Sequence, residues 1–538
     1  MAQYWQASKK TRETRKRVLE LYFEDRKRSP AKIATLLQER YGIKTDRTTV
    51  WRILRGNGLN CTKIGRPCGS RDKKKRRCKR RAKDRKKTNE RSSRTKTEVK
   101  TRRRRRRNRL LREQLRISEL FTKFGGLLLY APLIVESHLP QILEAVKQDL
   151  GKALQLLNHL MSSAGCLSDM NEEGDAGLPL SSGLDDFKDA SELHRYLEGI
   201  NGDILSQMQE AFGKRMYQLG AFKGQGVNVD GHFIPYYGEL DIPKGHHGTK
   251  KRMEKGFYLW VVCDHHNNNL IYFQVTLCDI RETKVLAELL EGAEKIVGEN
   301  TIEFYCVDKG FYEIGIISGL GADQQAFIPA KNTTNVIKAM KDIPEEQFKP
   351  YAKNKQIAET TVKISGKTIR LIVLNVTNKK GELRRFGFLT SDPNLAADKV
   401  VKRYSKRWRV ENWLKAGKLD LNLDNLPGLI VVYKNGEIVP ERLPDKLAAF
   451  IFFKSVASHL LAWLNRLAGQ SFQLKKWRQA FFDNNALLKI EGGKLVISFL
   501  YPLRHQALFQ KLWQSIQQFP ISIPWLDNLT IHFVFKPF

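Results

Sequence analysis

Cysteine is scarce and irregular in this chain: seven residues in 538, an odd number with no regular spacing. That excludes the disulfide framework of a small secreted domain. Cys61, Cys68 and Cys78 cluster loosely, but no histidine stands near them and zinc spacing is missing. The opening MAQYWQASKKTRE holds no apolar segment of a secretory signal, so the chain reads as cytoplasmic, with reduced thiols. Uninterrupted apolar runs are also missing. The greasiest stretch, LAAFIFFKSVASHLLAWLNRLAG, contains Lys454, His459 and Arg466 and reads as a buried helix, not a membrane span. No internal repeat is visible. Acid is short relative to base: 57 Asp and Glu face 94 Lys and Arg, a formal charge of +37. Such a chain seeks a polyanion, most simply nucleic acid, with an anionic membrane surface as the other candidate. A hydrophobic content of 41% allows real cores, and 538 residues should divide among several domains.

Residues 1–62 read as a helix-turn-helix module. TRETRKRVLELYFED predicts one helix with Val18, Leu19, Leu21, Tyr22 and Phe23 as its apolar positions. Ser29-Pro30 caps and starts a second, which turns Ile33, Ala34, Leu36 and Leu37 inward and stops at Gly42. A third begins at Thr45 or Asp46, with Val50, Ile53 and Leu54 towards the core. Arg47, Thr48, Thr49 and Arg52 are then left to face a major groove. A plain three-helix bundle would share the pattern, but the exposed Thr and Arg favour DNA. Gly65-Arg66-Pro67 resembles the short arm that AT-hook and recombinase proteins lay in the minor groove, with Arg66 as the inserted side chain. A simple loop is the alternative.

Residues 63–109 form a basic linker. Positions 71–109 alone hold 24 Lys or Arg against four Asp or Glu, which is +20 of the chain's +37. With almost no apolar residues this run cannot fold alone, and it is suited to tracking phosphates without regard to sequence. Residues 110–221 read as helical, from the spacing of Leu110, Leu111, Leu115, Ile117, Leu120 and Phe121, with an acidic Gly- and Ser-rich linker at 166–186.

From 222 to 330 the pattern is α/β. GVNVDGHFIPYYG predicts a strand that ends near Asp230. GFYLWVVCD and LIYFQVTLCD flank a turn, RETKVLAELLEGAEKIV is an amphipathic helix, and IEFYCVDKGFY and QQAFIPAKN give two further strands, with Asp308 closing the first of these. Three hairpin-linked strands, a helix and two strands is the order of the ribonuclease-H-like fold. Residues 331–385 read as a β-rich insertion without tryptophan, 386–468 as the second part of the core, and 469–538 as a C-terminal region with a hairpin at Glu491-Gly492-Gly493, a helix and a final strand. A strand-end aspartate is also an ordinary turn former.

Residues 393–418 have no Pro or Gly after Pro393 until Gly417 and predict one helix of several turns. Along it, Tyr404, Arg407, Glu411 and Lys418 fall within roughly 60° of one another at about 100° per residue. A solvated face with an Arg407–Glu411 pair would look the same. The spacing Tyr-(2)-Arg-(3)-Glu-(6)-Lys, however, resembles the signature of the insertion-sequence-four family of bacterial DDE transposases. Asp308-Lys-Gly-Phe resembles that family's second acid block, and LDLNLDNLPG its closing segment; Asp230-Gly-His is a less standard first block. The resemblance implies a multidomain enzyme: an α-helical helix-turn-helix module, then an α/β ribonuclease-H-like core interrupted by the insertion. It implies Asp230, Asp308 and Glu411 as the acids that hold two Mg²⁺ ions, with Mn²⁺ able to substitute. Tyr404, Arg407 and Lys418 are implied to contact the transposon end. Double-stranded DNA is the implied partner and a synaptic homodimer the implied assembly, associated with the nucleoid. A non-catalytic DNA-binding descendant would not need three acids, and a structure-selective nuclease would not need the N-terminal module.

Overall fold

The computed structural model describes residues 119–535 apart from 164–165, 173–174, 185, 249, 281, 318–323 and 429, together with 30–56 apart from 46 and several positions between 14 and 24. The chain divides into two compact units, Met1–Thr97 and Glu98–Phe538.

In the first unit the apolar spacing of the sequence becomes a small helical core. Helix α1 (Pro30–Tyr41) starts on its proline and buries Ile33, Leu36 and Leu37. Gly42 stops it with φ +66°, and its N–H bonds back to the Gln38 carbonyl. Helix α2 (Arg47–Gly56) sends Val50 and Leu54 to the same core, which Val18, Leu21 and Tyr22 complete from helical positions nearer the N-terminus. Arg47 is exposed and Thr49 half-buried. The side chains of Thr48 and Arg52, and the whole of Arg66 and of the 71–109 run, lie outside the described residues.

The second unit is built on one large mixed sheet. Strand β1 (Gly226–Pro235) pairs antiparallel with β3 (Arg252–Asp264), which also pairs with the short β2 (Lys244–His247) and with β4 (Leu270–Leu277). On its other side β1 runs parallel to β5 (Phe304–Cys306), and β5 runs parallel to β6 (Gln325–Pro329). The order β4-β3-β1-β5-β6, with helix α3 (Glu282–Val297) crossing between β4 and β5, fits a ribonuclease-H-like core. β3 is central and buried from Phe257 to Asp264 save Tyr258, which explains its near-continuous apolar run. α3 places Val285, Leu286, Leu289, Leu290, Ala293, Ile296 and Val297 on one buried face.

The insertion extends the same sheet. Helix α4 (Thr334–Lys341) is followed by β7 (Lys349–Ala352), β8 (Lys355–Ile364), β9 (Lys367–Thr377) and β10 (Leu383–Thr390), and the end of β10 pairs antiparallel with β6. A boundary at 385 therefore cuts through β10, whose pairing to β6 makes insertion and core one sheet.

Helix α5 (Ala397–Ser405) packs on the insertion strands, and α6 (Trp408–Leu421) packs on β1. The expected single helix is two. Hydrogen bonds tighten to i→i−3 at Arg407→Tyr404, Arg409→Lys406 and Val410→Arg407, and the axis breaks without Pro or Gly. Helix α7 (Leu443–Ala468) is the one helix among the described residues long and apolar enough to cross a membrane, but it is buried against β4 and the flanking helices, as are its Lys446, Lys454 and His459.

The flanks join. Leu120–Thr122 is a strand, not the helix its spacing predicts, because it pairs with β11 (Ala486–Glu491). β11 forms the expected hairpin with β12 (Lys494–Phe499), and β13 (Leu529–Val534) lies parallel to β12. The segment 166–186 is not a linker either: Leu167, Met170, Leu178, Leu180 and Ser182 are buried in the main core.

Candidate active site

β1 and β5 are the two strands at which the sheet changes direction of connection, the place where α/β sheets open a crevice. Their pairing ends at Asn228↔Cys306. Asp230 lies just beyond, in the middle of β1 opposite Val261, because β3 continues to pair with β1 as far as Pro235. The expected strand end at Asp230 is thus the end of pairing with β5 only. Asp308 follows β5 by two residues, exposed at the start of the short Lys309–Phe311 turn.

α6 closes over this point. The tightened turn at its N-terminus swings Arg407 into the crevice, where the guanidinium makes three charge-assisted bonds. It donates to Asp230 Oδ2 at 3.1 Å, to Glu411 Oε1 at 2.8 Å and to the Tyr404 hydroxyl at 3.0 Å. Arg407 and Asp230 are largely buried, while Glu411 keeps 44% of its side chain exposed.

The electrostatics tie in the third acid. Burial pushes the Asp230 carboxyl up to about 6; the Asp308 and Glu411 carboxylates add to the rise, and the Arg407 guanidinium and the Gly231 N–H oppose it. Burial likewise raises the Tyr404 phenol well above its ordinary value, against the pull of Arg407. Burial works against the charge of Arg407, but Tyr404, Asp230, Asp308 and Glu411 outweigh it and hold the guanidinium protonated. Asp230, Asp308 and Glu411 therefore share one field with Arg407 at its centre.

Among the described residues no three His, Cys, Asp or Glu stand together closely enough to enclose a metal ion. Arg407, between Asp230 and Glu411, holds the acids by pairing. The donor set nonetheless suits a hard divalent cation: carboxylate oxygens from a strand, a strand-following turn and a helix, the first of them on a carboxyl pushed up by burial and then by its acidic neighbours.

Lys418 does not join this cluster. Two turns along α6, it pairs with Asp424 at 3.4 Å, and Asp424 hydrogen-bonds to His232 on β1. The sequence reading missed His232 and Asp424, whose only signal was their position next to Asp230 and inside the closing segment. It also missed a group of cations beside the signature. Arg403 lies 4.0 Å over the Phe304 ring, Arg409 donates to the His266 carbonyl, and burial, then Lys406, Arg403 and Arg409, holds His265 down at about 4. The i, i+3, i+6 spacing of 403, 406 and 409 could have found them.

The sheet order, with carboxylates where β1 and β5 part and a third on the helix above, fits a ribonuclease-H-like core. Residues 221–428 match the family model described as transposase DDE domain, which is 208 of the chain's 538 residues. No curated protein matches the chain. Among solved structures, one described as "Cryo-EM structure of piggyBac transposase synaptic complex with hairpin DNA (SNHP)" is similar at 11% identity and a TM-score of 0.36, covering 74% of this chain and 84% of that one; so low a score bears no argument.

Proposed function

We propose that the protein is a DDE transposase of the insertion-sequence-four kind, which cuts the ends of its element and joins them to target DNA. The observation that carries this is the meeting of Asp230, Arg407 and Glu411 across β1 and α6, within the segment matched by the transposase domain model. Asp230, Asp308 and Glu411 are the residues that would hold two Mg²⁺ ions, or Mn²⁺. Bound there, such ions supply an activated nucleophile and stabilise the leaving oxygen.

The chain's own residues do the rest. Arg407, already protonated and buried among acids, is placed to take a non-bridging phosphate oxygen. The Tyr404 hydroxyl, which orients Arg407, can donate to the next one. Lys418 lies farther along α6, towards the adjoining nucleotides. In cutting, a water oxygen bonds to phosphorus, the bond to the 3′ oxygen breaks, and that oxygen leaves as a hydroxyl. In joining, the same 3′ oxygen gives up its proton and bonds to a target phosphorus, the bond from that phosphorus to the target strand's own 3′ oxygen breaks, and that oxygen leaves as a hydroxyl. Arg47, Thr48, Thr49 and Arg52 would read the terminal repeat in the major groove, with Arg66 in the minor groove and 71–109 along the phosphates. Two copies would pair the two ends.

The test is a cleavage and strand-transfer assay on DNA bearing the element's own ends, with Mg²⁺ or with EDTA. Wild type should nick and join only with the metal, and Glu411→Ala should bind ends but lose cleavage by at least about a hundredfold. Undiminished cleavage by Glu411→Ala would remove Glu411 from the site. Binding without cleavage by wild type in either Mg²⁺ or Mn²⁺ would leave a DNA-binding protein in place of a transposase.

A further inference from the structure

Lys418 lies two turns beyond Glu411 on α6. A lysine ammonium rides on a flexible four-carbon stem, so its partners decide where it stands. Among the described residues the acid paired with it is Asp424, 3.4 Å away. The two side chains keep 38% and 39% of their surface exposed, and a pair so open to water adds little to stability. What the pair does fix is the place of the cation.

Asp424 cannot follow the lysine, because its surroundings hold it. Its Oδ1 accepts from His232 Nε2, and His232 is anchored in β1 opposite Leu259. Its neighbour Leu423 is buried and donates its N–H to the Gly417 carbonyl at 3.0 Å, which folds the chain back against α6. On α7, the buried Lys454 ammonium bonds the carbonyls of Asn422 and Asn425, on either side of Asp424. Burial works against the charge of Asp424, but the His232 bond and the Lys418 ammonium outweigh it and hold the carboxyl below its ordinary range. The result is a fixed carboxylate with a movable cation drawn to it.

His232 and Asp230 are two residues apart on β1, so they share a face and lie about 7 Å apart along the strand. Asp424 therefore brings the Lys418 ammonium to a point just past the acids. An ammonium has three donors; one turned to Asp424 leaves two for a phosphate. We propose that Asp424 and His232 are positioning residues for Lys418: the carboxylate clamped by His232 holds the ammonium over the path of the DNA backbone before DNA arrives. A lysine left free would lose its rotamer freedom on binding, whereas this one has lost it already. This rests on the transposase reading, in which Lys418 meets the transposon end, and adds His232 and Asp424, which lie outside the Tyr-Arg-Glu-Lys spacing.

The test is a double-mutant cycle on the full chain, read as affinity for DNA bearing the element's own ends, in EDTA so that no cutting intervenes. Asp424→Ala removes a negative charge from the path of a polyanion, yet it should weaken binding about threefold. In a Lys418→Ala background the same change should cost nothing. His232→Ala should weaken binding as Asp424→Ala does, and His232→Gln, whose amide N–H can take the place of Nε2, should recover most of the loss. Tighter binding by Asp424→Ala would make the carboxylate a competitor of the phosphate for Lys418. An equal loss in both backgrounds would make it a structural residue. Either result overturns the proposal, even if the protein cuts and joins ends with Mg²⁺. The expected coupling in a protein that neither cuts nor joins supports the positioning and overturns the transposase reading instead.

Discussion

At Arg407 one guanidinium links residues 177 positions apart in the chain, and its neighbour Asp230 bears the cost. The folded value of Asp230, about 6, lies above the ordinary carboxyl value because of burial first and then Asp308 and Glu411. The ionised form is therefore disfavoured by folding. That cost is fully present above about 6, and it is relieved as pH falls through 6 towards the ordinary range. In EDTA at neutral pH, Asp230→Asn should melt a degree or two higher than wild type, a gain of about 1 kcal/mol once the lost Arg407 pair is set against it. The gap should close as the pH is lowered past 6. A variant that melts lower at every pH would show that the Arg407 pair outweighs the burial. Tyr404, Arg407 and Glu411 were legible because their relation is local, set by the helical repeat. Asp308 was legible as the close of an apolar strand. The His232–Asp424 bond spans 192 positions, and no local pattern marks either partner.

Among the elements, the strands and α3 were legible because their burial repeats along the sequence. The break between α5 and α6 was not, since the tightened turn accompanies the distant bond to Asp230 and nothing in Ser405-Lys406-Arg407 signals it. Leu120–Thr122 shows the same limit: helical spacing yields to a strand partner near 487. A further long-range tie governs the end of α6. The Lys454 ammonium on α7 donates to the carbonyls of Asn422 and Asn425, 2.9 and 3.1 Å away, and so fixes the turn that carries Asp424. Burial lowers Lys454 to about 7, with the Asp424 carboxylate opposing. A lysine depressed in the folded state costs stability below that value, and the cost is progressively relieved as pH rises from about 7 towards the ordinary lysine range. Lys454→Met should flatten the rise in melting temperature between pH 7 and 9 and speed amide exchange at residues 422–425. Unaltered exchange there would mean that the turn holds without the lysine.

For the molecule as a whole, charge was the most legible property and the joining of the flanks the least. Residues 119–221 and 469–535 share a core through contacts more than 300 positions apart, such as Arg478 donating to the Leu160 and Met161 carbonyls. The acidic, glycine-rich composition of 166–186 concealed the leucines it buries. The roles along the chain separate in their dependence on salt. Positions 71–109 supply +20 of +37, and Arg102 to Arg107 are six consecutive arginines within them. If that run tracks phosphates, each neutralised phosphate releases counterions and steepens the fall of affinity with salt by about 0.9 per contact. Replacing all six by Gln should therefore lower the slope of log K against log salt by up to about 5 and weaken end DNA and random DNA alike. On the proposal that Arg47, Thr48, Thr49 and Arg52 discriminate between sequences, the ratio between the two should stand. A variant with a lower ratio and an unchanged slope would reverse the assignment, making the arginine run a reader of sequence and the helices its scaffold.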